Sequence, residues 1–163
     1  MAQDRGAELW LPRGATGYFR AADGPLPQSD LRAFRGALYA EAREAGGRVG
    51  EFAEREYPRT FHTASVDHVE YGDEGSGCVV LCHLHLPWVA FTAERRDWYD
   101  DHFLDPPSWA HAFVEAGFTV PDRAWLRTPL ASLHRSILAS TEWRAARFYG
   151  VSVLGGVLFN SWD

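Results

Sequence analysis

A chain of 163 residues with 46% hydrophobic and 14% aromatic content has the material for one buried core and lacks the composition of a disordered segment. The formal charge is −6 and all sixteen basic residues are arginine, which excludes Schiff-base, phosphate-loop and kinase-type lysines and sets the summed field against nucleic-acid phosphates. The first residues lack the basic-then-apolar order of a secretion signal, and no apolar run approaches the ~20 residues of a bilayer span, so a cytoplasmic protein with no membrane contact is expected.

Residues 1–163 read as a single globular α+β domain, with residues 1–7 flexible. Apolar residues at 9–11 and 18–19 flank Pro12-Arg13-Gly14-Ala15-Thr16-Gly17 and predict a short opening hairpin. After the turn residues Asp23-Gly24-Pro25-Leu26-Pro27, Leu31, Phe34, Leu38 and Ala42 share one helical face, with Ser29-Asp30 at its start and Gly46-Gly47 at its end. Residues 48–57 read as mostly extended. The stretch at about 60–91 is the predicted centre, a hairpin of two apolar runs around Gly72-Asp73-Glu74-Gly75-Ser76-Gly77. Cys78 and Cys82, four apart on one strand, would stand ~13 Å from each other, too far for a disulfide, and read as buried thiols.

Residues 92–102 allow a short helix with a thin apolar face. A second helix starts at Asp105-Pro106-Pro107-Ser108, carries Trp109, Ala112, Phe113 and Ala116, and closes at Gly117. Phe118-Thr119-Val120 suggests a short strand, and Thr128-Pro129 a helix start followed by Leu130, Leu133, Ile137 and Leu138. Between Trp143 and Trp162, Gly155-Gly156 separates two apolar runs and predicts a hairpin, with a buried helix as the competing reading. Together these elements predict a mostly antiparallel sheet covered on one side by three to four helices.

Two groups of side chains carry candidate chemistry. If Tyr71 faces Cys78 across the hairpin, the period of two places His62, His68, His83 and His85 on one face, with Glu70 farther along it. His62, His83 and His85 would then be metal ligands for an open zinc site in a hydrolase or lyase, with zinc acidifying a bound water. The plainer alternative is that these imidazoles line a half-covered sheet face, and a single bulge would separate them. The second group, Glu94, Asp97, Trp98, Tyr99, Asp100, Asp101 and His102, sets aromatic anchors among acids and would suit a basic protein partner, unless it is simply a solvated helix face. No recognised nucleophile, cofactor or nucleotide motif accompanies either group. The expectation is therefore a small acidic protein that binds or sequesters a macromolecule, in the manner of an immunity protein or antitoxin. The metal-dependent enzyme is the alternative, and a binder of an apolar small molecule is a third reading.

Overall fold

The computed structural model describes residues 11–67, 77–134 and 137–162. A four-stranded antiparallel sheet runs in sequence order through β1 (Arg48–Ala53), β2 (Phe61–Asp67), β3 (Gly77–His83) and β4 (Val89–Thr92). Among the described residues five α-helices accompany it: α1 (Leu31–Glu44), α2 (His111–Glu115), α3 (Arg123–Leu126), α4 (Ser140–Phe148) and α5 (Leu154–Leu158). The fold is α+β, as the pattern of runs predicts.

Both faces of the sheet are covered, where the sequence suggested one. On one face Val66, Val80, Cys82 and Phe91 pack with Phe34 and Leu38 of α1 and Phe113 of α2. On the other, Phe61, Leu81 and Ala90 pack with Leu126 of α3 and with Leu154, Val157 and Leu158 of α5. The cause is visible in β3, which is buried at every position after Gly77, the near-continuous apolar run expected of a strand covered twice. Cys78 and Cys82 are free and buried, and burial pushes both thiols up to about 12, so they act as small hydrophobes.

The helix α1 follows its sequence signals. Asp30 caps it by accepting from the Ala33 backbone N–H at 2.9 Å, and Gly46, at φ +75°, ends it as the Gly47 N–H returns to the Ala42 carbonyl at 2.7 Å. Four other expectations are not met. No strand forms at 18–20; residues 12–17 are tight turns, and residues 8–10 lie outside those described. Residues 93–102 are bends, not a helix. Residues 118–120 make one bridge, Thr119 to Trp88, in place of a strand. Among the described residues between Pro129 and α4 only the 3₁₀ turn Leu130–Ser132 forms, because the neighbouring backbone pairs instead with the chain before α5: Leu130 N–H donates to the Ser152 carbonyl at 2.7 Å and Leu154 N–H to that of Thr128 at 3.0 Å.

The predicted C-terminal hairpin is also replaced, by α4 and the buried helix α5. Gly155 and Gly156 make no turn; they let α5 approach its neighbours. A Cβ on Gly155 would sit 2.3 Å from Cε2 of Phe103, and one on Gly156 2.8 Å from Cγ1 of Val151. Gly155→Ala is therefore expected to destabilise by about 1–3 kcal/mol through overpacking, a loss exceeding the ~1 kcal/mol that alanine gains in helix propensity. Urea unfolding of the two proteins measures the difference.

Candidate functional site

The features most suited to binding meet in a cleft of about 580 Å³ at the end of the sheet where β2 begins. Six stretches build it: residues 16–19 and 25–28 before α1, residues 55–60 between β1 and β2, residues 84–85 after β3, Thr141, Glu142 and Ala145 of α4, and Trp162. Three buried polar residues hold the opening loop, the start of β2, the turn after β3 and Trp162 in place.

Asn160 is the first. Its amide donates to the carbonyls of Thr16 at 3.1 Å and Val157 at 2.7 Å, and its side-chain oxygen accepts from Trp162 N–H at 3.0 Å. Thr60 is the second, donating its hydroxyl to the Leu158 carbonyl at 2.7 Å while its backbone N–H donates to the Asn160 carbonyl at 3.1 Å. These bonds tie the opening loop, the start of β2 and the end of α5 together. The loop needs glycine here, since Gly17 has φ +83° and a Cβ on it would stand 2.8 Å from Cγ2 of Thr60.

His83 is the third and is fully buried. Its Nε2 donates to the Ala15 carbonyl at 2.9 Å, and its Nδ1 accepts from the backbone N–H groups of His85 and Leu86, both at 3.0 Å. That arrangement fits only the neutral ring, and burial pushes its pKa down to about 3. His83 thus closes the turn after β3 and anchors the opening loop, with no nitrogen left for a ligand.

Above this floor the cleft wall is aromatic and basic. Tyr57 is 76% exposed, Phe19 53% and Tyr18 38%, and all three line the cleft. Arg55, Arg59 and Glu142 are its charged lining residues. Both Glu142 oxygens are engaged, one accepting from the Thr16 hydroxyl and the other from Ala139 N–H at 2.6 Å. Arg59 lies 3.8 Å from the exposed Glu56, and Arg55 makes no ion pair among the described residues. The cleft lining therefore carries two arginines against one glutamate, a small positive excess on a protein whose total charge is −6. His85 borders it with Nδ1 2.9 Å from the Pro27 carbonyl, and burial lowers its pKa.

The histidine site expected on the hairpin is not assembled. Val66, not Tyr71, faces Cys78, an odd-numbered shift of register that exchanges the faces of one strand relative to the other. His62 consequently pairs with Cys82 on the α1 side, stacked on Phe52 with ring centroids 6.5 Å apart and accepting from Arg55 N–H at 3.0 Å. His83 pairs with Phe61 on the opposite side. Of His62, His83 and His85, the last two share a ring contact, with centroids 6.0 Å apart. His68, Glu70 and the turn itself lie outside the described residues.

The acidic stretch is reorganised as well. Tyr99 is fully buried, packed edge-on to Phe61 at 5.6 Å, and its hydroxyl donates to the Glu94 carbonyl and accepts from Arg96 N–H, both at 2.9 Å. It cannot contact a partner; it folds the loop onto the core. Glu94 pairs with Arg96 at 3.4 Å and Asp101 with Arg127 at 3.0 Å, so two of the acids are met by arginines within the chain, while Asp100 lies 3.4 Å from the His102 ring. Trp98, 45% exposed, and the exposed Asp97 remain on the surface.

The cleft residues come from segments far apart in sequence, which is why the pattern of runs did not bring them together. The signal was the pair of aromatic-arginine loops, Tyr18-Phe19-Arg20 and Arg55-Glu56-Tyr57-Pro58-Arg59, which set large aromatics beside arginines outside any apolar run. No family model, curated protein or solved structure matches the chain.

Proposed function

We propose that the protein binds a macromolecular partner, and that the partner contributes a protruding segment with a carboxylate and an apolar side chain to the cleft of Tyr18, Phe19, Tyr57, Arg55 and Arg59. The observation that carries this reading is the gathering of three exposed aromatics around two arginines, the residue types that dominate binding hot spots. Fully burying an exposed ring of this kind is worth about 1.5–3 kcal/mol, and these partly exposed rings forgo a share of it that a partner would recover. The cleft volume also lies in the small-ligand range, but such sites bury most of their ligand, whereas these rings stand at an open rim. The positive lining favours an acidic segment, which moves the partner contact away from the acidic loop at 94–102 and reverses the expected charge of what is bound.

An array of extended peptides of graded charge and aromatic content tests this. Acidic peptides with an aromatic residue are expected to be retained, with affinity falling by about tenfold or more in Arg55→Glu and in Tyr57→Ala. The double variant Asp97→Arg with Asp101→Arg should bind as the parent does. Equal retention by the cleft variants, or loss confined to the acidic-loop variant, would overturn the assignment.

A further inference from the structure

Away from the cleft, where α1 meets α2, Glu41, Glu44 and His111 bring one donor atom each to within 4.8 Å of one another. Among the described residues they are the only set of three metal-ligating side chains so placed. Nε2 of His111 lies 3.5 Å from Oε1 of Glu41 and 3.6 Å from Oε2 of Glu44. Ligands bonded to one tetrahedral ion at ~2.0–2.2 Å stand about 3.3–3.6 Å apart, so both separations already suit a shared ion.

Two further observations point the same way. Glu41 is completely buried; the Oε1 that lies beside His111 also accepts from Ala112 N–H at 2.9 Å, and the other oxygen of the same carboxyl, Oε2, is buried without any hydrogen-bond partner. A carboxylate oxygen left so is costly until a cation meets it or the group takes up a proton, and the first of these is what His111 and Glu44 beside it would favour. On the other ligand, Nδ1 of His111 faces the Ser108 carbonyl at 3.5 Å, the side from which a backbone acceptor holds a metal-bound imidazole with its Nε2 lone pair toward the ion. The nearby carboxylate of Glu115 adds negative charge to the same region.

We infer that Glu41, Glu44 and His111 form a binding site for a zinc-class divalent cation that clamps the C-terminal turn of α1 to the start of α2. The imidazole selects against magnesium and calcium, which prefer oxygen alone, and water would complete the coordination on the exposed side of Glu44 and His111. The competing arrangement is a protonated His111 bridging two carboxylates with no metal. The site is independent of the peptide cleft and of the hairpin histidines.

The test starts from chelator-treated, full-length protein titrated with zinc at pH 7.5 in a calorimeter. One equivalent is expected to bind saturably and to raise the thermal midpoint, and cobalt in its place is expected to show the intense visible absorption of a tetrahedral site. His111→Ala and Glu44→Gln alter exposed side chains and should fold; both should weaken zinc by about a hundredfold or more, since even loss of an outer-shell partner costs 10–100-fold. Magnesium at the same concentration should not shift the midpoint. No saturable zinc binding by the parent, or equal binding and equal thermal shift in His111→Ala, overturns the site.

Discussion

Asn160→Ala is expected to lower stability by about 3–5 kcal/mol, because it strands the buried carbonyls of Thr16 and Val157 and the Trp162 N–H at once. For a chain of this size that corresponds to a drop of roughly 10 °C in the thermal midpoint. Asn160→Asp should not rescue it, since a carboxylate keeps the acceptor for Trp162 but faces two carbonyls where the amide donated. Chemical denaturation checks the magnitude, and the exposed Thr141→Ala on the cleft wall serves as a neutral comparison. A loss near 0.5 kcal/mol would mean that water replaces the amide and that Asn160 does not hold the cleft floor.

The second large effect is at His83, and its sign depends on pH. The folded state holds this ring neutral down to about pH 3, while the unfolded chain takes up a proton near 6.5. Between those values the unfolded state binds more protons, so stability is complete above pH 6.5 and falls as the solution is acidified, by at most about 1.4 kcal/mol per pH unit. Burial lowers His62 and His85 in the same sense, while it raises the carboxyl of Glu41, which works in the opposite sense. The contribution of His83 is therefore read as the difference between the parent and His83→Leu. That variant should be less stable by about 3–5 kcal/mol at pH 7.5, having orphaned the Ala15 carbonyl and two backbone N–H groups. Its disadvantage should shrink steadily toward pH 4, because leucine has no proton to refuse. A constant gap across that range would show that His83 does not set the acid limb.

Local signals read well where neighbours in sequence settle the outcome. The α1 helix, with Asp30 at its cap and glycines at its end, was legible because caps, period and terminator agree within one stretch. The helix announced by Asp105-Pro106-Pro107-Ser108 was legible for the same reason, with a 3₁₀ turn (Ser108–Ala110) leading into α2 and Gly117 at φ +97° past its end. Where a backbone partner lay far away, local pattern failed. Leu130, Leu133, Ile137 and Leu138 keep helical spacing, yet Ser152 and Leu154 supply Leu130 and Thr128 with a long-range pairing that a local period cannot register. Gly155-Gly156 read as a turn because glycine has two uses, and only Phe103 packed against α5 shows that here it is close approach.

By itself, the sequence determined the α+β class, the central pair of strands, the inert thiols and the absence of lysine chemistry, since each follows from composition or from runs of adjacent residues. Tertiary structure alone decided which side chains share a site. The reason is the strand period of two: an odd shift in register, invisible in either strand alone, parts His62 from His83, while packing between α1 and α2 brings Glu41 and Glu44 to His111 across some seventy residues of chain.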